Sequence, residues 1–158
     1  MRGSPGARGA AALSRPHTSP ALIGIVAVGG AIGSLARYGV SHLLPAQDGI
    51  PVGTLVENVL GAFLLGLLLE ALLRAGAENR ARRAMRLGLG TGLLGGFTTY
   101  SALALEVHAL WADGRIGLAL AYGLGSVVLG TAAATAGIIV GARRVARAPM
   151  PDEVQADR

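Results

Sequence analysis

The chain contains no cysteine and no lysine, and only 4% of its residues are aromatic. Without cysteine there are no disulfides, no thiol chemistry and no cysteine metal site. Its three histidines, His17, His42 and His108, lie too far apart in the chain for a ligand spacing. Without lysine there is no P-loop. Charged residues are also scarce, at 15%, where a soluble domain needs about a quarter. A net charge of +5 suggests nucleic acid, but every one of the 14 basic residues is arginine. They cluster between apolar stretches and are not interleaved with aromatics on one surface, so no nucleic-acid partner is expected.

What is abundant is apolar: 52% of 158 residues, with a mean hydropathy of +0.54 and 25 glycines. The apolar residues fall into four runs, Ala21–Leu44, Val52–Leu73, Leu87–Trp111 and Ile116–Ala142. Each reaches the ~20 residues that a helix needs to cross a ~30 Å hydrocarbon layer. No period-two alternation is present, which argues against a membrane barrel. The expected fold is therefore an all-α integral membrane protein with four transmembrane helices in a domain over residues 21–142. Residues 1–20 read as a disordered basic tail and 143–158 as a second disordered tail.

Arginine placement sets the orientation. Arg2, Arg8, Arg15, Arg74, Arg80, Arg82, Arg83, Arg86, Arg143, Arg144, Arg147 and Arg158 fall on one side of a four-span chain, and only Arg115 on the other. Both termini are expected in the cytoplasm.

Small residues recur at four-residue spacing, as Gly29/Gly33, Ala62/Gly66 and Gly137/Gly141. Such spacing lets helices approach closely in lipid, either within one chain or between two copies, and both uses stay open. In the third run, Gly90-Thr91-Gly92-Leu93-Leu94-Gly95 matches a dinucleotide fingerprint. It lacks the preceding strand that the fingerprint requires. More telling is Gly95-Gly96-Phe97-Thr98-Thr99-Tyr100-Ser101. Paired glycines weaken a helix, and threonine hydroxyls can bond freed backbone groups. Backbone that leaves the helix within a membrane is tolerated where it is buried or lines a polar cavity. Gly95–Ser101 is the leading ion-handling element.

Charged groups inside a span are costly, and are commonly functional or paired. Arg37, Glu57 and Glu106 all lie roughly 8–10 Å below the outer boundary at 1.5 Å per residue. Equal depth suggests one paired charged cluster, with separate snorkelling to the interface as the alternative. Asn58 offers an amide with two donors to an anion. Ser126, Thr131 and Thr135 are the polar points of the fourth run; lining a path and bonding back to their own helix both remain open.

Taken together, Gly29-Gly30-Ala31-Ile32-Gly33-Ser34-Leu35-Ala36-Arg37-Tyr38, Gly53-Thr54-Leu55-Val56-Glu57-Asn58, the Gly95–Ser101 element and Glu106 resemble the CrcB/Fluc fluoride channel family over roughly residues 21–142. The resemblance implies an antiparallel, dual-topology dimer of four-helix subunits with a broken third helix, in a bacterial plasma membrane. It implies passive, selective fluoride efflux through pores at the dimer interface. It also implies a central structural Na+ held by backbone carbonyls, here Gly95 and Thr98. The pathway residues carried over are Asn58, Tyr100 and Leu103, and Ser126, a polar point of the fourth run, is added to them. Ring edges are the positive part of an aromatic quadrupole and can face an anion. The family's two pore phenylalanines fall at Tyr100 and Leu103, and the usual aliphatic residue before the pore asparagine is Glu57. These departures, with the one-sided arginines, raise a heterodimer with a related subunit beside a homodimer. Two other readings are a non-conducting partner subunit and a small dual-topology exporter. The exporter would need an acid in the first helix, which has none.

Overall fold

Proline at position 20 lacks the N–H that a helix start leaves unused, and its fixed φ suits the first turn. The first helix begins there in the computed structural model, which describes residues 19–47 and 49–146. Helix α1 spans Pro20–Leu43 and stops before Pro45, which disfavours helical geometry at Leu44. Gln47 and Ile50 pair across a tight turn at Gly49, whose φ is 78°. Helix α2 spans Val52–Arg74 and is followed by Gly76 at φ 96°. Helix α3 opens at Arg80–Met85, where the Asn79 side chain accepts the Arg82 N–H at 2.9 Å. It widens into π-helical turns over Arg86–Leu94 and closes with Gly95–Phe97. Thr98 and Thr99 are extended, and helix α4, Tyr100–Ala112, starts directly after them. Gly114, at φ 75°, turns the chain into helix α5, Ile116–Ala146.

Every regular element among the described residues is helical. Three segments are long and apolar enough to cross a membrane: Pro20–Leu43, Val52–Arg74 and Ile116–Arg143. The remaining apolar run is divided between α3 and α4 by the two extended threonines. Helix α5 runs past the domain boundary expected at residue 142. The tail expected over residues 1–20 lies outside the described residues up to position 18, as does the second tail from residue 147.

Two helix pairs dominate the packing: α2 against α5, and α1 against the π-helical part of α3. Glycine makes both approaches possible. A Cβ on Gly33 would overlap the Leu93 carbonyl oxygen, and one on Gly137 would overlap the Phe63 carbonyl oxygen. The small-residue spacing at these sites is thus used within the chain. The buried apolar core is small, with Leu110, Ala119 and Tyr122 gathered at one end. Large apolar side chains such as Leu35 (70% exposed) and Leu73 (75% exposed) point outward. Apolar surface on this scale needs lipid or a partner to cover it.

Candidate functional site

The interruption between α3 and α4 is held open by side chains that take over backbone hydrogen bonds. In an uninterrupted helix the Thr99 N–H would donate to the Gly95 carbonyl. Here it donates to Asn58 Oδ1 at 2.8 Å, and Asn58 Nδ2 donates to the Thr99 carbonyl at 2.9 Å. The Ala102 N–H, which would otherwise reach the Thr98 carbonyl, donates to Thr99 Oγ1 at 3.2 Å and so caps α4. Thr98 ends α3 by donating twice to the Leu94 carbonyl, from its N–H at 3.0 Å and from Oγ1 at 2.9 Å. Arg37 Nε reaches the Gly96 carbonyl at 3.2 Å. The Gly95 and Thr98 carbonyls are therefore the two whose helical donors have been captured by side chains.

Two hollows flank the interruption, and Asn58 and Thr98 border both. One, of about 270 Å3, is bordered by Gly95, Gly61 and Gly90. A Cβ on Gly61 would overlap Thr98 Cγ2, so this glycine lets α2 meet the extended segment. The other, of about 260 Å3, is bordered by Tyr100, Leu103 and Ser126. All four residues assigned to the pathway by the sequence thus converge on one hollow. Tyr100 is 81% exposed and projects outward. Ser126 Oγ donates back to the Tyr122 carbonyl at 2.7 Å, which commits its one O–H within α5. Thr131 and Thr135 bond back in the same way on an exposed face of α5.

The three charged side chains placed at one depth do not form the expected paired cluster. Arg37 lies one turn beyond Gly33, on the face of α1 packed against α3, and its guanidinium serves the released Gly96 carbonyl. Glu106 accepts from Thr54 Oγ1 at 2.6 Å and from the Tyr122 hydroxyl at 2.7 Å. Glu57 is fully buried and accepts from Ser41 Oγ at 2.6 Å, while its Oε2 has no partner among the described residues. Direction around each helix decides the partner. Ser41, Thr54 and Tyr122 were missed as partners of the acids. The available signal was their type, three hydroxyl-bearing residues in or beside the same apolar runs as the acids.

This geometry can be set against known proteins. A family model described as CrcB-like protein, Camphor Resistance (CrcB), matches residues 24–138. The "Fluoride-specific ion channel FluC 1" of Cutibacterium acnes is 49% identical over 112 residues, covering 70% of this chain and 78% of that protein. The "Fluoride-specific ion channel FluC" of Paracoccus denitrificans is 49% identical over 117 residues, covering 73% of this chain and 90% of its own length. That of Agrobacterium fabrum is 46% identical over 121 residues, covering 75% and 94%. The matched region runs from within α1 to within α5 and includes the whole interruption, and the chain belongs to the CrcB family.

Proposed function

We propose that this chain is a subunit of a fluoride-selective channel that lowers cytoplasmic fluoride by passive efflux; it is not an enzyme. The observation that carries this reading is the convergence of Asn58, Tyr100, Leu103 and Ser126 on one hollow beside the interrupted helix. Fluoride is small and strongly hydrated, so a path for it must replace water with donors. The Asn58 amide has two N–H groups and commits one to Thr99, which leaves the other for an anion. The hydroxyls of Ser101 and Thr99, 3.3 Å apart, lie at the same level of the chain.

The finer assembly belongs to the same proposal. Each subunit crosses a bacterial plasma membrane four times, the third crossing being α3 and α4 together. Two subunits pack antiparallel, and the outward apolar surface supports burial in lipid and against a partner. A structural Na+ fits the donor set: the Gly95 and Thr98 carbonyls are neutral oxygens, suited to a hard cation, and both have lost their helical donors. Once bound, such an ion would supply positive potential to an otherwise anion-repelling interior. The chain's own residues do the rest. Asn58 and Thr99 keep the carbonyls released, and Arg37 occupies the Gly96 carbonyl between them.

The arginine distribution supports a cytoplasmic location for both termini. It favours a second family member inserted the opposite way, which would also supply a ring where this chain has Leu103. The homodimer is the alternative assembly. Proteoliposomes carrying this chain alone, or with a related chain of opposite insertion, test the reading through fluoride efflux. Efflux in either case supports a channel subunit. Efflux only from the mixture identifies the heterodimer, and silence in both removes the function.

A further inference from the structure

Where α1 begins and α2 ends, a cleft of about 460 Å3 opens between α1 and α3. Its rim carries Glu78, Asn79, Arg80 and Arg83, its floor is Leu22 and Ile25, and Ser19 sits at the junction. Both spans terminate at this level, so the cleft lies at the boundary between water and hydrocarbon. The floor does not stop at the cleft. Ile25, Val28, Ile32 and Leu35 recur at helical spacing along one exposed face of α1, leading away from the arginines toward the membrane interior.

The charge here is strongly one-sided. Four arginines, Arg80, Arg82, Arg83 and Arg86, follow Glu78 in this stretch of chain, and the Glu78 carboxylate is held by Arg86 Nε at 2.9 Å. Arg82 donates to the Ala77 carbonyl at 2.5 Å. The Arg80 side chain is exposed, with no hydrogen bond or ion pair among the described residues.

We propose that this cleft binds an anionic phospholipid, with its phosphate between Arg80 and Arg83 and one acyl chain laid along Leu22, Ile25 and the apolar strip of α1. Guanidinium groups suit phosphate oxygens, and arginines at the membrane surface attract anionic lipid. The apolar floor then separates a lipid from a free phosphate, which would have no use for it. Residues 1–18 hold three arginines and no acid, so their composition offers the arginines of the rim no counter-charge. Residues 147–158 include Asp152, Glu153 and Asp157 and are the rival occupant. The inference depends on membrane residence and not on which ion is conducted, so a chain that failed to conduct fluoride would leave it standing.

Native mass spectrometry of the full chain, titrated with dioleoyl phosphatidylglycerol or dioleoyl phosphatidylcholine, tests it. Phosphatidylglycerol should be retained about tenfold more strongly. The Arg80→Ala/Arg83→Ala variant should lose that preference. Ile25→Trp, which fills the floor and keeps the arginines, should weaken it. Arg74→Ala should not, because Arg74 is bonded to Glu70 outside the cleft. Circular dichroism and elution volume report whether each variant folds, and if the double variant does not, Ile25→Trp and Arg80→Ala decide. An undiminished preference in the folded variants overturns the proposal. Displacement of the lipid by equimolar glycerol phosphate overturns it in favour of a free-phosphate site. A several-fold gain in lipid retention when residues 147–158 are removed overturns it in favour of the chain's own acidic end.

Discussion

Asn58 and Thr99, 41 residues apart in sequence, are locked by a reciprocal pair of hydrogen bonds at 2.9 and 2.8 Å. One planar amide satisfies both backbone groups of a residue that has left the helix. Those groups would otherwise be unpaired inside the membrane, where each costs several kcal/mol. The asparagine therefore shapes the interruption as well as facing the hollow beside it.

Replacing Asn58 by Asp keeps the acceptor for the Thr99 N–H but removes the donor to its carbonyl, and sets negative charge beside an anion path. Fluoride efflux from Asn58→Asp proteoliposomes should fall about tenfold to a hundredfold, with helical content and elution volume unchanged. Asn58→Ala, which loses both bonds, should in addition be destabilised by about 1–3 kcal/mol in thermal unfolding. Undiminished efflux from Asn58→Asp would remove this side chain from the pathway.

Thr99→Val preserves the β-branched shape that favours an extended residue but deletes the cap on α4. The expected cost is about 1 kcal/mol, read as faster hydrogen exchange at the Ala102 amide. Thr98→Val should cost less, because the Thr98 N–H continues to serve the Leu94 carbonyl. Equal exchange at Ala102 in Thr99→Val and the parent would show that the cap contributes nothing.

Gly33→Ala forces a methyl group onto the Leu93 carbonyl oxygen, with backbone on both sides of the clash. Thermal unfolding in detergent should register a loss of about 1–3 kcal/mol. Gly24→Ala, with nothing within 4 Å of its new Cβ, should be neutral or gain up to about 1 kcal/mol from helix propensity. The ordering of these two variants is the check, since both make the same chemical change.

Glu106 joins α2 to α5 through Thr54 and Tyr122. A double-mutant cycle of Thr54→Val and Tyr122→Phe should give a coupling energy of about 0.5–3 kcal/mol, because each hydroxyl orients the carboxylate for the other. Strict additivity would mean that the two bonds act independently.

The sequence made some of this legible. Helices α1, α2 and α5 were readable because each is one long apolar run, and length alone separates a span from a core helix. The weak point near Gly95-Gly96 was readable too. Its location at Thr98 and Thr99, just beyond the glycines, is decided by what the threonines can bond. Helix α3 was not readable at its start, because Arg80–Met85 is polar and carries the composition of a loop. Its π-helical turns, Arg86–Leu94, left no periodic signature among the glycines. The partner of Arg37 was missed because depth along a helix is one coordinate and direction around it is another. Gly33, one turn earlier on the same face, held the missing coordinate. Asn58 was picked out for its chemistry, but its partner lies on another helix, and a single sequence contains no pairing information at that separation.

The account stands most directly on fluoride efflux from proteoliposomes, followed with a fluoride electrode and compared with chloride efflux from matched vesicles. Reconstituted alone or with an oppositely inserted family member, the chain should release fluoride at least about tenfold faster than empty vesicles while leaving chloride retained. Asn58→Asp should abolish most of that release. Fluoride release no faster than from empty vesicles under both reconstitutions, or equal release of chloride, would contradict the assignment of this chain to a fluoride-selective channel.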